Sequence, residues 1–379
     1  MKKKILFIIH MPPPVHGAGL AGQYIKDSKA IKDSFDCDYI NLSTSDTVAS
    51  IGKGGVKKTL AIIKLYFKVV RAIIKKRYDL HYVTINSKNL GFYKEIIIVF
   101  LLKMLRRPII YHYHNKGVIE GQNNWFLNKL YRFQFKNSKV IQLSPLLYYD
   151  ISKYVSAVDI YFCPYGIPGT NDVNLKDLHL ERANNTVPKI LFLSNLMHEK
   201  GVYTVLEACS ILSKKGIGYR TLFIGAEADV KIEDFNEYIS KNCLQKHVFY
   251  LGKKYNEEKL EYYRQADIFV FPTYYHNEAF PIVNLEAMQF GLPIISTNEG
   301  AIPEVVQDGI NGYIISKNDA EKLAEKIEYL INNPIVRHNM GIQGQKLYKE
   351  RYTLEKFENK IMDIIKEVIN SKTEPSHLN

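Results

Sequence analysis

One lysine occupies a position at which α/β proteins bind anions. Lys200 follows the apolar run 190–193 and precedes a helical pattern that begins at Val202. A cation before a helix opposes the helix dipole unless an anion also lies there. Lys200 and the first amides of the helix therefore indicate a diphosphate site. A solvated loop lysine is an equally open reading of this motif alone.

Two glutamates surround the start of another predicted helix. The run Ile268–Phe271 predicts a strand, Pro281 fits the first helical turn, and Gly291 ends the helix. Glu278 then lies at the carboxyl edge of the sheet, where α/β proteins bind ligands. Glu286 lies within an apolar helical segment and needs hydrogen-bond donors such as ligand hydroxyls. A structural ion pair is the alternative.

Gly17, Gly19 and Gly22 form a G-x-G-x-x-G pattern between a predicted strand and a helix. Asp38 follows at about the distance expected of a ribose-binding acid. However, the segment 11–16 separates the strand from the first glycine, whereas a dinucleotide fingerprint needs a tight turn. The pattern favours a phosphate-facing or substrate-facing loop. An NAD-dependent oxidoreductase and a merely structural turn are the alternatives.

His112 and His114 follow a predicted strand and, by alternation, share one face of an extended chain. Neither Cys nor a carboxylate stands nearby at metal-ligand spacing. We expect one histidine in the core or at its edge and one in a cleft. Asp36 and Asp38 match a D-x-D motif beside a short strand, but this weak signal assigns no metal.

A basic helix is predicted over Lys57–Arg77. Lys64, Lys68, Arg71 and Lys75 form one stripe, and the apolar residues lie elsewhere on the helix. Such a stripe suits an anionic membrane surface or a lipid-linked acceptor. A solvated helix face is the equal alternative.

The composition excludes several classes of protein. Of 379 residues, 46% are hydrophobic and 24% charged, which is typical of globular proteins. The four cysteines lie far apart, which excludes a disulfide scaffold and a thiolate zinc site and favours a reducing compartment. The short apolar run after the N-terminal lysines predicts a strand rather than a signal peptide. No run approaches the roughly 20 apolar residues of a membrane span. We therefore expect a cytoplasmic protein.

Charge is distributed unevenly along the chain. Residues 1–188 contain 28 Lys and Arg against 13 Asp and Glu, whereas residues 189–379 contain 23 against 26. The basic half could attract nucleic acid, an anionic membrane or an anionic substrate. Base-stacking motifs are missing and the second half is acidic, which argues against a nucleic-acid-binding protein.

Apolar strand patterns alternate with helical patterns in both halves. This rhythm predicts an α/β protein with two doubly wound domains. The polar stretch between Gly166 and Pro188 marks the boundary, and Leu354–Ile369 predicts a C-terminal helix before a frayed end. The predicted strands are 5–9, 39–41, 81–85, 109–112, 140–143, 190–193, 221–224, 248–250, 268–271, 294–296 and 313–315.

The second half resembles the donor-binding domain of glycosyltransferase family 4, whose members are retaining enzymes with the GT-B fold. The first half carries weaker but compatible features. In the second half the matching residues are Lys200-Gly201, Phe223-Ile224-Gly225, residues 248–252, Ala266-Asp267, Pro272, Glu278, Glu286-Ala287-Met288, Gly291-Leu292-Pro293, Gly300-Ala301, Glu304, Asp308-Gly309 and Asn311-Gly312. In the first half they are the turn at Gly17, Asp79-Leu80-His81, His114 and Tyr165-Gly166-Ile167.

The resemblance implies two Rossmann-like domains that face each other across a cleft. Residues 1–167 would bind the acceptor, and residues 188–353 would bind a nucleoside-diphosphate sugar. The C-terminal helix, residues 354–371, would cross back to the first domain. UDP or GDP would be the nucleotide, the acceptor would be a glycan or a lipid-linked glycan, and neither a cofactor nor a metal would be required. Capsule, lipopolysaccharide or another bacterial cell-surface polysaccharide would be the product.

The same resemblance implies roles for individual residues. Lys200 would contact the diphosphate, Glu278 the transferred sugar and Glu286 the ribose. His114 would lie at the reacting face of the sugar, so His114, Glu278 and Lys200 are the expected catalytic residues. The expected donor-binding residues are Gly17, Gly19, Asn195, Lys200, Gly225, Glu278, Ala279, Phe280, Pro281, Ile282 and Glu286.

Three positions depart from the family pattern. Asn195 stands where the family often has an arginine, which removes one positive charge from the diphosphate site. The glycine-rich turn after the second strand of this domain is reduced to Gly225-Ala226-Glu227. Pro281 replaces a common glycine and removes one backbone donor near the sugar.

Overall fold

The chain is described from a computed structural model over residues 2–13, 16–44, 56–170, 173–183 and 187–371. It divides into two compact units. The first contains the chain up to Gly166 together with the segment from Leu354 onward, and the second is Ile167–Thr353.

The first unit contains a parallel six-stranded sheet, β2-β1-β3-β4-β5-β6. The central strands β1, β3, β4 and β5 are buried runs rich in Ile, Val and Tyr, as expected when helices cover both faces, whereas β2 and β6 are half-buried. The strands are β1 (Lys4–Ile9), β2 (Asp36–Asn41), β3 (Leu80–Ile85), β4 (Ile109–Tyr113), β5 (Lys139–Gln142) and β6 (Ile160–Phe162). The helices are α1 (Gly17–Asp27), α2 (Lys29–Ser34), α3 (Val56–Lys75), α4 (Asn89–Met104), α5 (Val118–Gly121) and α6 (Trp125–Phe135).

The second unit contains another parallel sheet of six strands, β12-β11-β10-β7-β8-β9. The strands are β7 (Lys189–Leu193), β8 (Arg220–Ile224), β9 (Val248–Tyr250), β10 (Ile268–Phe271), β11 (Ile294–Thr297) and β12 (Gly312–Ile315). The helices are α7 (Leu175–Ala183), α8 (Val202–Lys214), α9 (Ile232–Lys241), α10 (Asn256–Gln265), α11 (Ile282–Gln289), α12 (Ile302–Val305), α13 (Ala320–Asn332) and α14 (Pro334–Arg351). The predicted α/β class with two doubly wound sheets is confirmed.

The last helix, α15 (Leu354–Asn370), belongs to the first unit. It packs against α2 and α1 through its buried apolar face. Ser34 on α2 contacts Met362, and Tyr161 of β6 donates to Glu367. The predicted return of the C-terminal helix to the first domain is confirmed, whereas the predicted fraying falls on residues outside the described ranges from position 372.

The predicted linker before Pro188 contains helix α7, so the second unit begins earlier than expected. Of the residues in α7, Leu178 is buried, and Arg182 donates to the backbone carbonyls of Tyr263, Arg264 and Phe290. Leu178 is the one buried residue among the described side chains of α7, so the helix leaves no apolar periodicity in the sequence. The three-residue, half-buried strand β6 was also not predicted.

Gly22 allows α1 to lie directly on the end of β1. A Cβ atom there would stand 1.9 Å from the His10 carbonyl oxygen. We expect Gly22→Ala to lower the free energy of unfolding by about 1–3 kcal/mol, because backbone must shift to admit the methyl group. Urea denaturation measures this, and Gly218→Ala is the control, since no atom lies within 4 Å of a Cβ there. Equal stability of the two variants would contradict the packing argument.

Among the described helices, none combines the length and the apolar character that crossing a membrane requires.

Candidate active site

Lys200 lies between β7 and α8, at the end of the short 3-10 turn His198–Lys200. Gly201 follows with a φ of 84° and is the N-cap of α8. A Cβ atom on Gly201 would stand 2.4 Å from the carbonyl oxygen of Pro272, which follows β10. The backbone of the two loops is therefore in close contact, and this contact brings Lys200 beside the loop that contains Glu278.

The structure brings Lys200 and Glu278 together as an ion pair. The ammonium also lies 4.6 Å from the ring centre of Tyr275 and 5.3 Å from that of Phe271. Only 15% of the Lys200 side chain and 12% of the Glu278 side chain are exposed. The Lys200 ammonium rests on two aromatic faces and pairs with one carboxylate. It can therefore exchange Glu278 for a stronger anion such as a diphosphate with little movement of the side chain.

Glu286 is held by two side chains of α10. Its carboxylate lies 2.5 Å from the Lys259 ammonium and accepts a hydrogen bond of 2.9 Å from the Tyr263 hydroxyl. The structural ion pair considered as an alternative is thus present. Burial and the neighbouring Glu286 raise the pKa of Tyr263 well above its ordinary value, so this hydroxyl remains a donor.

Asn195 supports the neighbouring loop. Its side-chain oxygen accepts a hydrogen bond of 3.4 Å from the Ala226 amide. The Gly225 amide donates to the Gly252 carbonyl over 3.0 Å, and a Cβ on Gly225 would lie 1.8 Å from the Ser194 carbonyl oxygen. Asn195 and Gly225 therefore hold the end of β8 against the end of β7. Asn195 is uncharged, so it does not replace the positive charge that an arginine would bring to the predicted diphosphate site.

The segment before α11 is packed into the second unit. Ala279 and Phe280 are buried. The Ala279 carbonyl accepts a hydrogen bond of 2.8 Å from the Ala301 amide. Pro281 was predicted within the first helical turn, but it is the N-cap, because its ψ of 115° is extended and Ile282 begins the helix.

The glycine pattern of the first unit is helical, which corrects the predicted turn. Gly17 and Gly19 form the first turn of α1, and His16 is the N-cap. The His16 ring nitrogen Nδ1 accepts a hydrogen bond from the Gly19 amide over 3.2 Å. A histidine can cap a helix by this geometry, so the helix starts earlier than expected and the Gly19 amide already has a partner.

Asp38 does not offer an open carboxylate. It accepts hydrogen bonds from the Lys76 ammonium at 2.8 Å and the Tyr78 hydroxyl at 2.9 Å. Asp36 shares the same ammonium at 3.0 Å. The predicted ribose-binding role of this acid in a dinucleotide site is therefore not supported by its contacts.

His112 and His114 share one face of the strand end, with ring centres 4.0 Å apart. His112 is fully buried, and His114 is partly exposed. The His114 nitrogen Nδ1 lies 2.8 Å from the Tyr165 hydroxyl. Within the described part of the chain, the Nε2 atoms of both histidines are buried without a hydrogen-bond partner.

Other polar groups at the carboxyl ends of these strands were not singled out from the sequence. The His10 ring lies 3.0 Å from both Thr84 and Glu95, and Glu95 also accepts hydrogen bonds from Asn86. Glu95 is fully buried within the apolar helix α4. The sequence pattern that could have identified Glu95 is a lone carboxylate within an apolar run, and the same pattern identifies Glu286 as a candidate.

Buried histidines of the first unit, His16, His112 and His114, make folding sensitive to acid, because burial lowers the pKa of each. Burial, and to a lesser extent His10, lowers the pKa of His16 from 6.5 to about 4, and burial lowers the pKa of His112 to about 3. Below pH 6.5 the unfolded state therefore binds more protons than the folded state. We expect the free energy of unfolding to fall as the pH drops from 6.5 towards 4, by up to about 1.4 kcal/mol per pH unit for each histidine.

Chemical denaturation across this pH range tests the expectation. His16→Asn keeps an N-cap acceptor but removes one titrating group, so the slope should become shallower. An unchanged slope would contradict the assignment to His16.

The described residues contain no group of three or more His, Cys, Asp or Glu side chains arranged to hold a metal ion. The metal-free site therefore stays an expectation.

Residues 178–347 match the family model described as glycosyl transferases group 1. CapM of Staphylococcus aureus, a capsular polysaccharide biosynthesis glycosyltransferase, is 28% identical over 162 residues, which are 43% of this chain and 41% of CapM. An uncharacterized glycosyltransferase of Methanocaldococcus jannaschii is 32% identical over 208 residues, or 54% of this chain and 55% of that protein. The chain spans about half the length of the curated relatives it matches.

The fold has counterparts among solved structures. Anabaena HepE, solved in complex with UDP and glucose, superposes with a TM-score of 0.72 at 18% identity, over 96% of this chain and 99% of that one. At this identity the likeness concerns the fold alone. The family match and the relatives show that this chain is similar to glycosyltransferases, and the solved structure adds a likeness of fold.

Proposed function

We propose that this protein is a retaining glycosyltransferase of family 4. It transfers a hexosyl or related sugar from a nucleoside-diphosphate sugar to an acceptor hydroxyl. The observation that carries the proposal is the grouping of Lys200 with Glu278 at the carboxyl edge of the second sheet. Glu286 lies on the helix that follows the same edge.

In this proposal the second unit binds the donor, with UDP or GDP as its nucleotide. Lys200 leaves Glu278 for the diphosphate, and the first amides of α8 add hydrogen bonds to the same anion. Glu278 then accepts hydroxyl hydrogen bonds from the transferred sugar, and Glu286 accepts them from the ribose. Asn195, Gly225 and the backbone of residues 279–282 shape the pocket around these groups.

The chemical step breaks the bond between the anomeric carbon and the diphosphate oxygen. Negative charge grows on the leaving diphosphate, and Lys200 stabilises it electrostatically in place of a metal ion. The acceptor oxygen bonds to the anomeric carbon on the face that the diphosphate leaves. Its proton passes to an oxygen of the departing diphosphate, so no double displacement through a protein carboxylate is required.

The first unit takes the acceptor, a glycan or a lipid-linked glycan. His114 would contact the transferred sugar, and Gly17 and Gly19 would lie near the diphosphate and acceptor. Names of relatives in capsular polysaccharide and amylovoran biosynthesis support a cell-surface polysaccharide as product. A cytoplasmic location, expected from the cysteine pattern, is part of the proposal.

The NAD-dependent oxidoreductase is not favoured. Asp38 is engaged by Lys76 and Tyr78, and Gly19 donates its amide to His16. That reading also leaves the Lys200–Glu278 pair without a role.

Donor turnover tests the proposal. The protein is incubated with UDP- and GDP-sugars and with glycan and lipid-linked acceptors, and ³¹P NMR follows release of the nucleoside diphosphate. Proton NMR of the product gives the anomeric configuration, which should equal that of the donor. An inverted product would contradict retention, and reduction of NAD⁺ without release of any diphosphate would contradict the proposal as a whole.

A further inference from the structure

The outward face of α4 is apolar along its whole length. Its exposed residues follow one another at spacings of three and four, so they form a single stripe. They are Leu90, Tyr93, Ile97, Phe100 and Met104, with exposed fractions of 64%, 39%, 52%, 52% and 66%. The opposite face of α4 is buried through Phe92, Ile96, Val99 and Leu102. A helix that is apolar on both sides is normally covered on both sides.

Helix α3 extends this surface. Its buried face is formed by Leu65, Val69 and Ile73. Its exposed apolar residues are Leu60, Ile63, Phe67 and Ile74, with exposed fractions of 53%, 56%, 68% and 78%. We call this stripe, together with the outward stripe of α4, the apolar platform.

The two stripes of the platform adjoin each other. Tyr66 of α3 donates a hydrogen bond of 3.0 Å to the Lys94 carbonyl of α4, so the flank that contains Tyr66 faces α4. At 100° per residue, Ile63, Phe67 and Ile74 lie between this flank and the outermost line of α3. The exposed apolar residues of α3 are therefore on the side of the helix nearest to α4.

A basic stripe borders the platform on the side of α3 that faces away from α4. Lys64, Lys68, Arg71 and Lys75 lie on the exposed half of α3, directly beside the apolar stripe rather than opposite to it. Within the described ranges, none of the four pairs with a carboxylate. An apolar surface of this extent bordered by four exposed cations is typical of helices that lie in a membrane interface.

We propose that the apolar platform inserts into the interfacial region of an anionic bilayer while the basic stripe contacts the lipid headgroups. Charge selects this occupant over a second copy of the chain. Two copies joined through the platform about a twofold axis would bring two stripes of four cations into one assembly, whereas anionic headgroups neutralise them. The proposal goes beyond the proposed function and does not depend on it.

Vesicle flotation tests the proposal with three variants. Ile97→Gln/Phe100→Gln removes apolar contacts without changing charge, and Lys64→Gln/Lys68→Gln/Arg71→Gln/Lys75→Gln removes charge without changing the platform. The control, Tyr255→Gln/Ile335→Gln, makes the same polarity change at two exposed residues of the second unit. Vesicles contain either phosphatidylcholine with 30% phosphatidylglycerol, roughly the anionic content that gives basic surfaces their attraction, or phosphatidylcholine alone.

We expect the wild type and the control to float with anionic vesicles and to stay in solution with neutral ones. The apolar and the charge variants should each bind anionic vesicles at least about tenfold more weakly than the wild type. Their urea midpoints should stay close to that of the wild type. Wild-type protein that ignores anionic vesicles would overturn the proposal. A wild-type dimer that becomes monomeric in Ile97→Gln/Phe100→Gln and does not float would overturn it in favour of a subunit interface. Because flotation needs neither donor nor acceptor, its failure is distinguishable from failure of the proposed function.

Discussion

Lys200→Ala should reduce kcat/KM for sugar transfer by about 10²- to 10³-fold. Loss of one preformed donor to developing charge typically costs this much. Lys200 lies on the faces of Tyr275 and Phe271 and pairs with Glu278, so its ammonium is held close to where the diphosphate is proposed to bind. Steady-state kinetics with the preferred donor measures the effect.

Two matched variants show whether the loss is specific. Lys215→Ala breaks an exposed ion pair with Glu328 in the same unit and should leave turnover unchanged. Lys200→Arg keeps the charge with a different donor geometry and should recover part of the activity. Full activity of Lys200→Ala would remove Lys200 from the proposed mechanism.

Glu286→Gln should weaken binding of the nucleoside diphosphate by about 10- to 100-fold, since a charged acceptor for ribose hydroxyls is worth roughly 1.5–3 kcal/mol. The same change leaves the Lys259 ammonium without its carboxylate, which also lowers stability. Calorimetric titration gives the affinity, and urea denaturation gives the free energy of unfolding.

The double variant Glu286→Gln/Lys259→Met separates the two effects. It removes both charges, so stability should recover relative to Glu286→Gln while nucleotide affinity stays low. If affinity returned together with stability, Glu286 would act only as a structural partner of Lys259, and its ribose-binding role would be wrong.

Much of the fold could be predicted because parallel strands in a doubly wound sheet are short, continuous apolar runs. All eleven predicted strands coincide with observed ones. Helix α7 was not predicted because it has no apolar period, and strand β6 was not predicted although Ile160–Phe162 is a short apolar run. In both cases their contacts come from residues distant in the sequence, which a local pattern does not reveal.

Side-chain partners were harder to predict than positions. Lys200 and Glu278 were expected at the same edge of the sheet, but their direct ion pair was not. Lys259 and Tyr263 are one turn apart on α10, and nothing local distinguishes them from a solvated helix face, so the sequence does not predict their contact with Glu286. His16 was placed in a turn because histidine is an uncommon N-cap.

The exposed face of α4 could not be predicted from the sequence either. A helix that is apolar all round has no amphipathic period, so its sequence does not tell which side is buried. Only the packing of α4 against α3 and α6 reveals that five of its large apolar side chains remain exposed.

The central claim is that the second unit holds a nucleoside diphosphate through Lys200 and Glu286. Thermal denaturation of the wild type and of Glu286→Gln with UDP, GDP, ADP, CMP and NAD⁺ tests it most directly. A ligand at 100 times its Kd adds about 2.7 kcal/mol of stability, which is readily detected. We predict that UDP or GDP stabilises the wild type and that Glu286→Gln loses this stabilisation. Stabilisation by NAD⁺ alone, unaffected by Glu286→Gln, would contradict the claim.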